Sequence, residues 1–217
     1  MNETSLRRWS KTKKTRQKHL FQESGFDYDP RIEQVATSVW LDGYFQSWRY
    51  FAADEESVRQ ILHSRGAVSP IVADFLTGMN GSTWIGVHVR RSDYLKVGNM
   101  ALPGTSYYER AVEKIANRLT SPAIVVFTDD PVAARAVVPF ADSYIGPAEM
   151  QTPGDVLTSL SYCSGFVGAN SSFSWWAGFA NREANTPRVF PGQWFAESPE
   201  VPRDLLIHSW TTIPIEQ

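Results

Sequence analysis

The sequence predicts an α/β protein built on a Rossmann-like parallel sheet, and three observations predict it. From about residue 35 onward, short apolar runs alternate with helical patterns, the rhythm of parallel strands joined by crossover helices. Thr83 to Val89 is a strand with two faces that both read as buried: Ile85, Val87 and Val89 on one, Trp84, Gly86 and His88 on the other. The strands then run out into clusters of charge and hydroxyl, and an open parallel sheet binds its ligands at those carboxyl ends.

The elements follow in order. Val35 to Phe45 reads as a strand entering a loop. Asp54 is expected to cap a helix with Glu55 and Glu56 in its first turn, Val58, Ile61 and Leu62 as its apolar stripe, and Gly66 as its stop. After the Thr83–Val89 strand, a helix from about Thr105 to Leu119 repeats apolar residues at Tyr108, Val112, Ile115 and Leu119. Ser121-Pro122 closes it. Ala123 to Phe127 is a compact strand, and Asp129, Asp130 and Pro131 start a helix over roughly Val132 to Val138. Asp142 to Ile145 is a weaker strand, Asp155 to Cys163 a helix, Gly165 to Ala169 a short strand and Ser171 to Arg182 another helix. Arg188 to Phe190 is expected to be the last strand. No internal repeat or low-complexity linker interrupts the series.

Composition bounds what such a fold can do. At 217 residues the chain has room for one domain, or one and a fragment, on the usual ~100–200 residues per domain. Hydrophobic residues at 42% and charged residues at 20% belong to a chain that folds, not to a disordered one. The formal charge is only −2, and seven of the 21 basic residues, Arg7 to Lys18, fall within the first 20 residues with Glu3 as the one acidic residue there, leaving 14 basic and 22 acidic residues, or −8, in the remainder. That remainder argues against nucleic acid as a partner; the Arg7 to Lys18 run is read as a solvated terminal segment, with a polyanion-binding arm as the alternative. Cys163 is the single cysteine, so no internal disulfide forms, and a reducing, intracellular setting is expected. The uncharged run Val156 to Asn181 carries too many hydroxyls and amides for a membrane span.

Three strand ends hold the candidate chemistry. His88-Val89-Arg90-Arg91-Ser92-Asp93 places two guanidiniums and a carboxylate at the ligand-facing edge, a match to a pyrophosphate, since each guanidinium forks onto two oxygens and keeps its charge. A surface salt bridge is the plainer alternative. Phe127-Thr128-Asp129-Asp130 offers carboxylates to a helix start or to a base and ribose, and capping alone accounts for one aspartate, not two. Asn170-Ser171-Ser172-Phe173-Ser174 sets hydroxyls and backbone N–H groups at a helix start, either an anion site or an elaborate cap. Together they favour a nucleoside diphosphate. No Gly-x-x-x-x-Gly-Lys loop, Gly-x-Gly-x-x-Gly fingerprint, Gly-x-Ser-x-Gly elbow or Cys-x-x-Cys pattern supports a kinase, dehydrogenase, serine hydrolase or zinc enzyme.

The segments Gly86 to Tyr94, Phe127 to Asp130 and Asn170 to Trp176, with Leu41-Asp42-Gly43-Tyr44-Phe45-Gln46-Ser47 before them, stand in the order found in glycosyltransferase family 11, and over roughly residues 20 to 195 the chain resembles those α-1,2-fucosyltransferases. The resemblance implies the C-terminal, donor-binding half of a GT-B glycosyltransferase (residues 51–217) with a partial N-terminal domain and basic segment before it (residues 1–50). It implies transfer of L-fucose from GDP-fucose to a galactose 2-hydroxyl with inversion, on a galactose-terminated glycan acceptor. No metal or other cofactor is expected, because arginines and a helix dipole can neutralise the leaving GDP. His88, Arg90, Arg91, Asp129, Asp130, Ser171, Ser172, Phe173 and Ser174 are carried over to the donor, with Ser171, Ser172, Ser174 and the Phe173 backbone on the phosphates and His88, Asp129 and, less directly, Asp130 at the guanosine. Arg90, Arg91 and Asp93 are the candidate catalytic residues, Asp93 either as general base or as the holder of an arginine. Cytoplasmic placement, peripheral at the membrane beside glycan-assembly machinery, is the expected setting.

Two departures qualify the match. The family's Gly-Gly-Leu-Gly-Asn-Gln loop does not occur here, so the chain is expected to start inside the N-terminal domain, and Ser92 stands where the family often has glycine. An active transferase completed by another chain or segment and a silent donor-binding fragment therefore both remain open.

Overall fold

The structure, a computed structural model, describes residues 20–35, 38–64, 68–94, 98–183, 185–198 and 201–216. The Arg7 to Lys18 run, the stop at Gly66 and the Ala36–Thr37 part of the first expected strand lie outside them. The chain divides into two compact units, one of Met1–Ala53 with Pro202–Leu205 and one of Asp54–Val201 with Leu206–Gln217.

In the first unit, β1 (Leu20–Gln22) pairs in parallel with β2 (Trp40–Asp42). The strand expected over Val35 to Phe45 is thus confined to three residues. Glu23 explains where it stops: its Oε2 accepts from the backbone N–H of Tyr44 and Phe45 at 2.8 and 2.9 Å, and its Oε1 from the Tyr50 hydroxyl at 2.8 Å. The turn needs Gly43, because a Cβ there would meet the Cβ of Glu23 at 2.5 Å. A 3₁₀ stretch, Trp48–Asp54, leads straight into α1 (Glu55–Ser64). Asp54 is therefore not a cap, as the chain is already helical when it reaches α1 and has no extended residue to act as one.

The second unit holds a six-stranded parallel sheet: β3 (Trp84–Val89), β4 (Ala123–Thr128), β5 (Ser143–Ile145), β6 (Gly165–Val167), β7 (Arg188–Pro191) and β8 (Thr211–Ile213). Their spatial order is β5-β4-β3-β6-β7-β8. Every residue of β3 is buried, as its two apolar faces require. The strand at Arg188 is not the last, since β8 pairs beyond it with Val189 opposite Thr211. Three residues ahead of Pro214 are too few to show a period.

Helices cover both faces. α3 (Thr105–Ala116) and α4 (Pro131–Val137) lie on the side of Ile85, Val87 and Val89, where Tyr107, Ala111, Ile115, Ala134 and Val138 complete one core cluster. α2 (Pro70–Gly78), α5 (Pro153–Leu160) and α6 (Ser172–Phe179) lie on the other. There Phe75 packs edge-on against Trp84 and Phe127, both at 5.6 Å. Gly86 lets α5 approach the sheet: a Cβ on it would stand 2.7 Å from Leu160 Cδ2.

α2 was not expected from its sequence, although Ser69 accepts from Val72 N–H at 3.3 Å and Pro70 follows it, an ordinary helix start. α5 begins two residues earlier than its charge pattern indicates, because Thr152 caps it by accepting from Asp155 N–H at 3.1 Å. α6 ends at Phe179, not Arg182. The Arg59 guanidinium takes the Phe179 carbonyl and lies over the Phe179 ring, and His63 Nε2 is 2.7 Å from the Ala180 carbonyl. Those α1 side chains satisfy carbonyls that a longer helix would have used.

Candidate functional site at the sheet switch point

Successive strands β3, β4 and β5 step one way across the sheet, whereas β6 returns to the other flank of β3. The loops leaving β3 and β6 consequently diverge, and a crevice opens between their carboxyl ends. The register brings the β3 and β4 exits level, with His88 opposite Phe127 and Val89 opposite Thr128. A cavity of about 160 Å³ lies there, lined by His88, Arg90, Thr128, Asp129, Pro147, Met150, Gln151, Thr152, Pro153, Val156 and Phe173.

Arg90 is the cation of this cavity. Its Nη2 donates to Asp93 Oδ2 at 2.8 Å and its Nη1 lies 3.0 Å from Asp129 Oδ2. Burial opposes its charge, but the two carboxylates outweigh burial and hold its pKa above the ordinary arginine value. The same hydrogen bond from Arg90 lowers the pKa of Asp93. Asp93 is thus the holder of Arg90. Asp129 also fixes the backbone, its Oδ1 accepting from Arg91 N–H at 2.9 Å. Its Oδ2 is hidden from solvent and, although ion-paired by distance, has no well-directed hydrogen bond, so it keeps acceptor capacity.

His88 stands at the β3 exit with its ring 5.0 Å from that of Phe173. Its Nδ1 is 2.6 Å from Ser174 Oγ, which also accepts from Ala169 N–H at 3.1 Å. The hydroxyl keeps a second lone pair and its own proton, so it can meet either tautomer of the ring at Nδ1. Burial lowers the His88 pKa to about 4, more than the Asp129 charge raises it, so the ring is neutral near pH 7.

The structure separates the carried-over residues. His88, Arg90, Asp129 and Phe173 meet at the cavity. Arg91 is turned away and buried, its guanidinium donating to the Pro103 carbonyl. Asp130 caps α4, accepting from Val132 and Ala133 N–H at 3.1 and 3.0 Å. Ser174 is buried between His88 and the β6 exit. Ser171 is the buried N-cap of α6 and hydrogen-bonds the Tyr94 phenol, while Ser172 is exposed in the first turn. No side chain caps the backbone N–H groups of that turn.

A larger neighbouring cavity, about 480 Å³, shares Thr152, Pro153 and Phe173. Several of its polar side chains are already engaged, such as His63 with the Ala180 carbonyl and Ser161 Oγ with the Thr158 carbonyl at 2.7 Å. Sequence reasoning missed Pro147, Met150 and Gln151, which lie on the loop after β5 and belong to no motif. Among the described residues, no group of three or more His, Cys, Asp or Glu side chains is gathered to hold a metal ion.

The model of glycosyl transferase family 11 matches residues 27–213. The chain belongs to that family. Among similar proteins, the galactoside 2-alpha-L-fucosyltransferase Sec1 of Mus musculus is 29% identical over 65% of this chain and 42% of its own length. The O-antigen biosynthesis glycosyltransferase WbnK of Escherichia coli is 28% identical over 58% of this chain and 43% of its own. The galactoside alpha-(1,2)-fucosyltransferase 1 of Homo sapiens is 24% identical over 64% and 42%. The chain therefore matches less than half the length of these relatives. A solved glycosyl transferase family 9 protein from Veillonella parvula DSM 2008 aligns with 67% of this chain and 39% of that one, with 14% identity and a TM-score of 0.45. Among the described residues no helix is long and apolar enough to cross a membrane.

Proposed function

We propose that this family 11 chain is the donor-binding half of an inverting GT-B fucosyltransferase, which moves L-fucose from GDP-fucose to the 2-hydroxyl of a galactose-terminated glycan. The observation that carries the reading is Arg90, set between Asp93 and Asp129 at the switch-point crevice beside the first turn of α6. A fixed guanidinium and the free N–H groups of a helix start supply positive potential where the diphosphate gathers charge as it leaves. Because they are held before the ligand arrives, little reorganisation accompanies the reaction. The donor-side role of Arg91 is to lock the β3 exit through its bonds to Pro103 and Asp129. His88 and Asp129 face the guanosine end. Metal-independent turnover belongs to the same proposal, as does a cytoplasmic site peripheral to the membrane, which cell fractionation tests.

Inversion also needs an acceptor hydroxyl aligned with the donor carbon and a base within reach of it. Asp93 is engaged with Arg90, and among the described residues Asp129 is the one carboxylate that lines the donor cavity. The second reading, donor binding without transfer by this chain alone, draws on that observation. Calorimetry with GDP in EDTA tests the binding step: Arg90→Ala should lose ~1.5–3 kcal/mol, the worth of hydrogen bonds to a charged group. Unchanged affinity would sink the assignment. A radiolabelled GDP-fucose transfer assay on a galactose-terminated acceptor, with the 217-residue chain and with a version extended by a family 11 N-terminal domain, separates the two readings. Transfer only by the extended version supports donor binding alone; efficient transfer by the short chain supports the complete enzyme.

A further inference from the structure

We propose that Gln151 selects the base of the donor nucleotide, donating from its amide nitrogen to O6 of guanine while Asp129 accepts from the neighbouring ring and exocyclic N–H groups. The inference rests on the GDP-sugar reading above and adds the residue that tells guanine from adenine.

The argument is an account of every polar side chain lining the 160 Å³ cavity. Thr128 Oγ1 is closed on Asp130, accepting from its N–H at 3.0 Å and lying 3.2 Å from its carbonyl. Thr152 Oγ1 donates to Asp155 Oδ2 at 2.6 Å and accepts from Asp155 N–H. Asp129 Oδ1 holds the Arg91 backbone, and His88 Nδ1 holds Ser174. What is left is Nε2 of His88, the remaining donors of Arg90, the shielded Oδ2 of Asp129 and the whole amide of Gln151. Arg90 is charged and suits the diphosphate. The neutral edge of a base requires the others.

The cavity walls fit a flat ring. Pro147, Met150, Val156 and Phe173 are apolar, and the volume is well below the ~300–1,000 Å³ of a pocket for a whole drug-sized ligand. A ring system enters it; the ribose and phosphates remain outside, toward Arg90 and α6. The edge of guanine presents an acceptor, O6, beside the N1–H and N2–H₂ donors, whereas adenine presents a donor, N6–H₂, beside an acceptor, N1. A carboxylate can only accept, so Asp129 fixes the polarity in favour of guanine. Gln151 then supplies the donor to O6. It is exposed and forms no hydrogen bond among the described residues, so it is free to turn to the base, and replacing it leaves the fold intact.

The test titrates GDP, ADP and inorganic pyrophosphate into wild type, Gln151→Leu and Gln151→Glu, in EDTA. In Gln151→Leu, GDP affinity should fall about five- to tenfold, the worth of one hydrogen bond, while pyrophosphate, which lacks a base, stays within about twofold. In Gln151→Glu, a carboxylate facing O6 repels guanine and accepts from adenine N6–H₂, so the preference for GDP over ADP should fall at least about tenfold. GDP affinity and base preference unchanged in both variants overturn the role of Gln151 and leave the donor reading standing when Arg90→Ala still weakens GDP. A wild-type chain that binds neither GDP nor pyrophosphate overturns both.

Discussion

His88 is a histidine that folding keeps neutral, and that has a consequence for stability. Its pKa falls from an ordinary 6.5 to about 4, chiefly through burial. Below pH 6.5 the unfolded chain takes up a proton that the folded chain refuses until about pH 4. Stability from this group is therefore present above pH 6.5 and lost as the pH falls toward 4, by up to about 3 kcal/mol. Urea unfolding at pH 7, 5 and 4 should show that loss, and it should be much smaller in His88→Gln, whose amide can still meet Ser174. An identical slope in the variant would remove His88 as the cause. The paired aspartates divide along similar lines. Asp130→Ala should cost about 1 kcal/mol of stability, as the loss of an α4 cap does, and leave GDP affinity within about twofold. Asp129→Asn should weaken GDP while changing stability less; the reverse pattern would reassign both residues.

At the scale of elements, the close approach of α5 to β3 decides where the crevice walls stand. Leu160 packs over the bare backbone of Gly86, and α5 carries Val156 and, at its first turn, Pro153 into the cavity lining. Gly86→Val should therefore act twice. Overpacking of this kind costs ~1–3 kcal/mol, read as a lower denaturation midpoint, and a displaced α5 should also weaken GDP. If the midpoint fell with no change in GDP affinity, the cavity would not depend on α5. The aromatic stack beneath α6 supports the opposite wall: Trp175 lies parallel to Phe179 at 5.3 Å, and Phe190 parallel to Trp210 at 4.8 Å. These rings fix the helix whose first turn faces the crevice.

For the whole molecule, the crevice cavity is, among the described residues, lined from the second unit, since its lining residues run from His88 to Phe173. A ligand that binds only the folded state stabilises it by ~2.7 kcal/mol at a hundred times its dissociation constant. For a chain of this size that is a rise of about 5–10 °C in midpoint. GDP in that excess should raise the transition that unfolds the second unit, and ADP at the same concentration should raise it less. Equal shifts by the two nucleotides would place binding on the phosphates alone.

The sequence by itself determined the α/β class, the strands at β3 and β4 and the three clusters at strand ends, because periodicity, caps and turn residues act over a few neighbouring positions. It did not show β1, α2 or β8, the two strands being three residues long and the helix only nine. Nor did it show which member of each pair lines the cavity. Arg90 and Arg91 are adjacent, yet one lies in the cavity and the other reaches Pro103; Asp129 and Asp130 are adjacent, yet one holds arginine and the other caps a helix. Ser174 reads as a phosphate ligand until His88, 86 residues away in sequence, comes within 2.6 Å. Gln151 belongs to no motif at all and reaches the crevice because β5 pairs with β4. Only tertiary structure decides such matters, since the partner that claims a side chain is brought in by the sheet order, and a local pattern of residues carries no record of it.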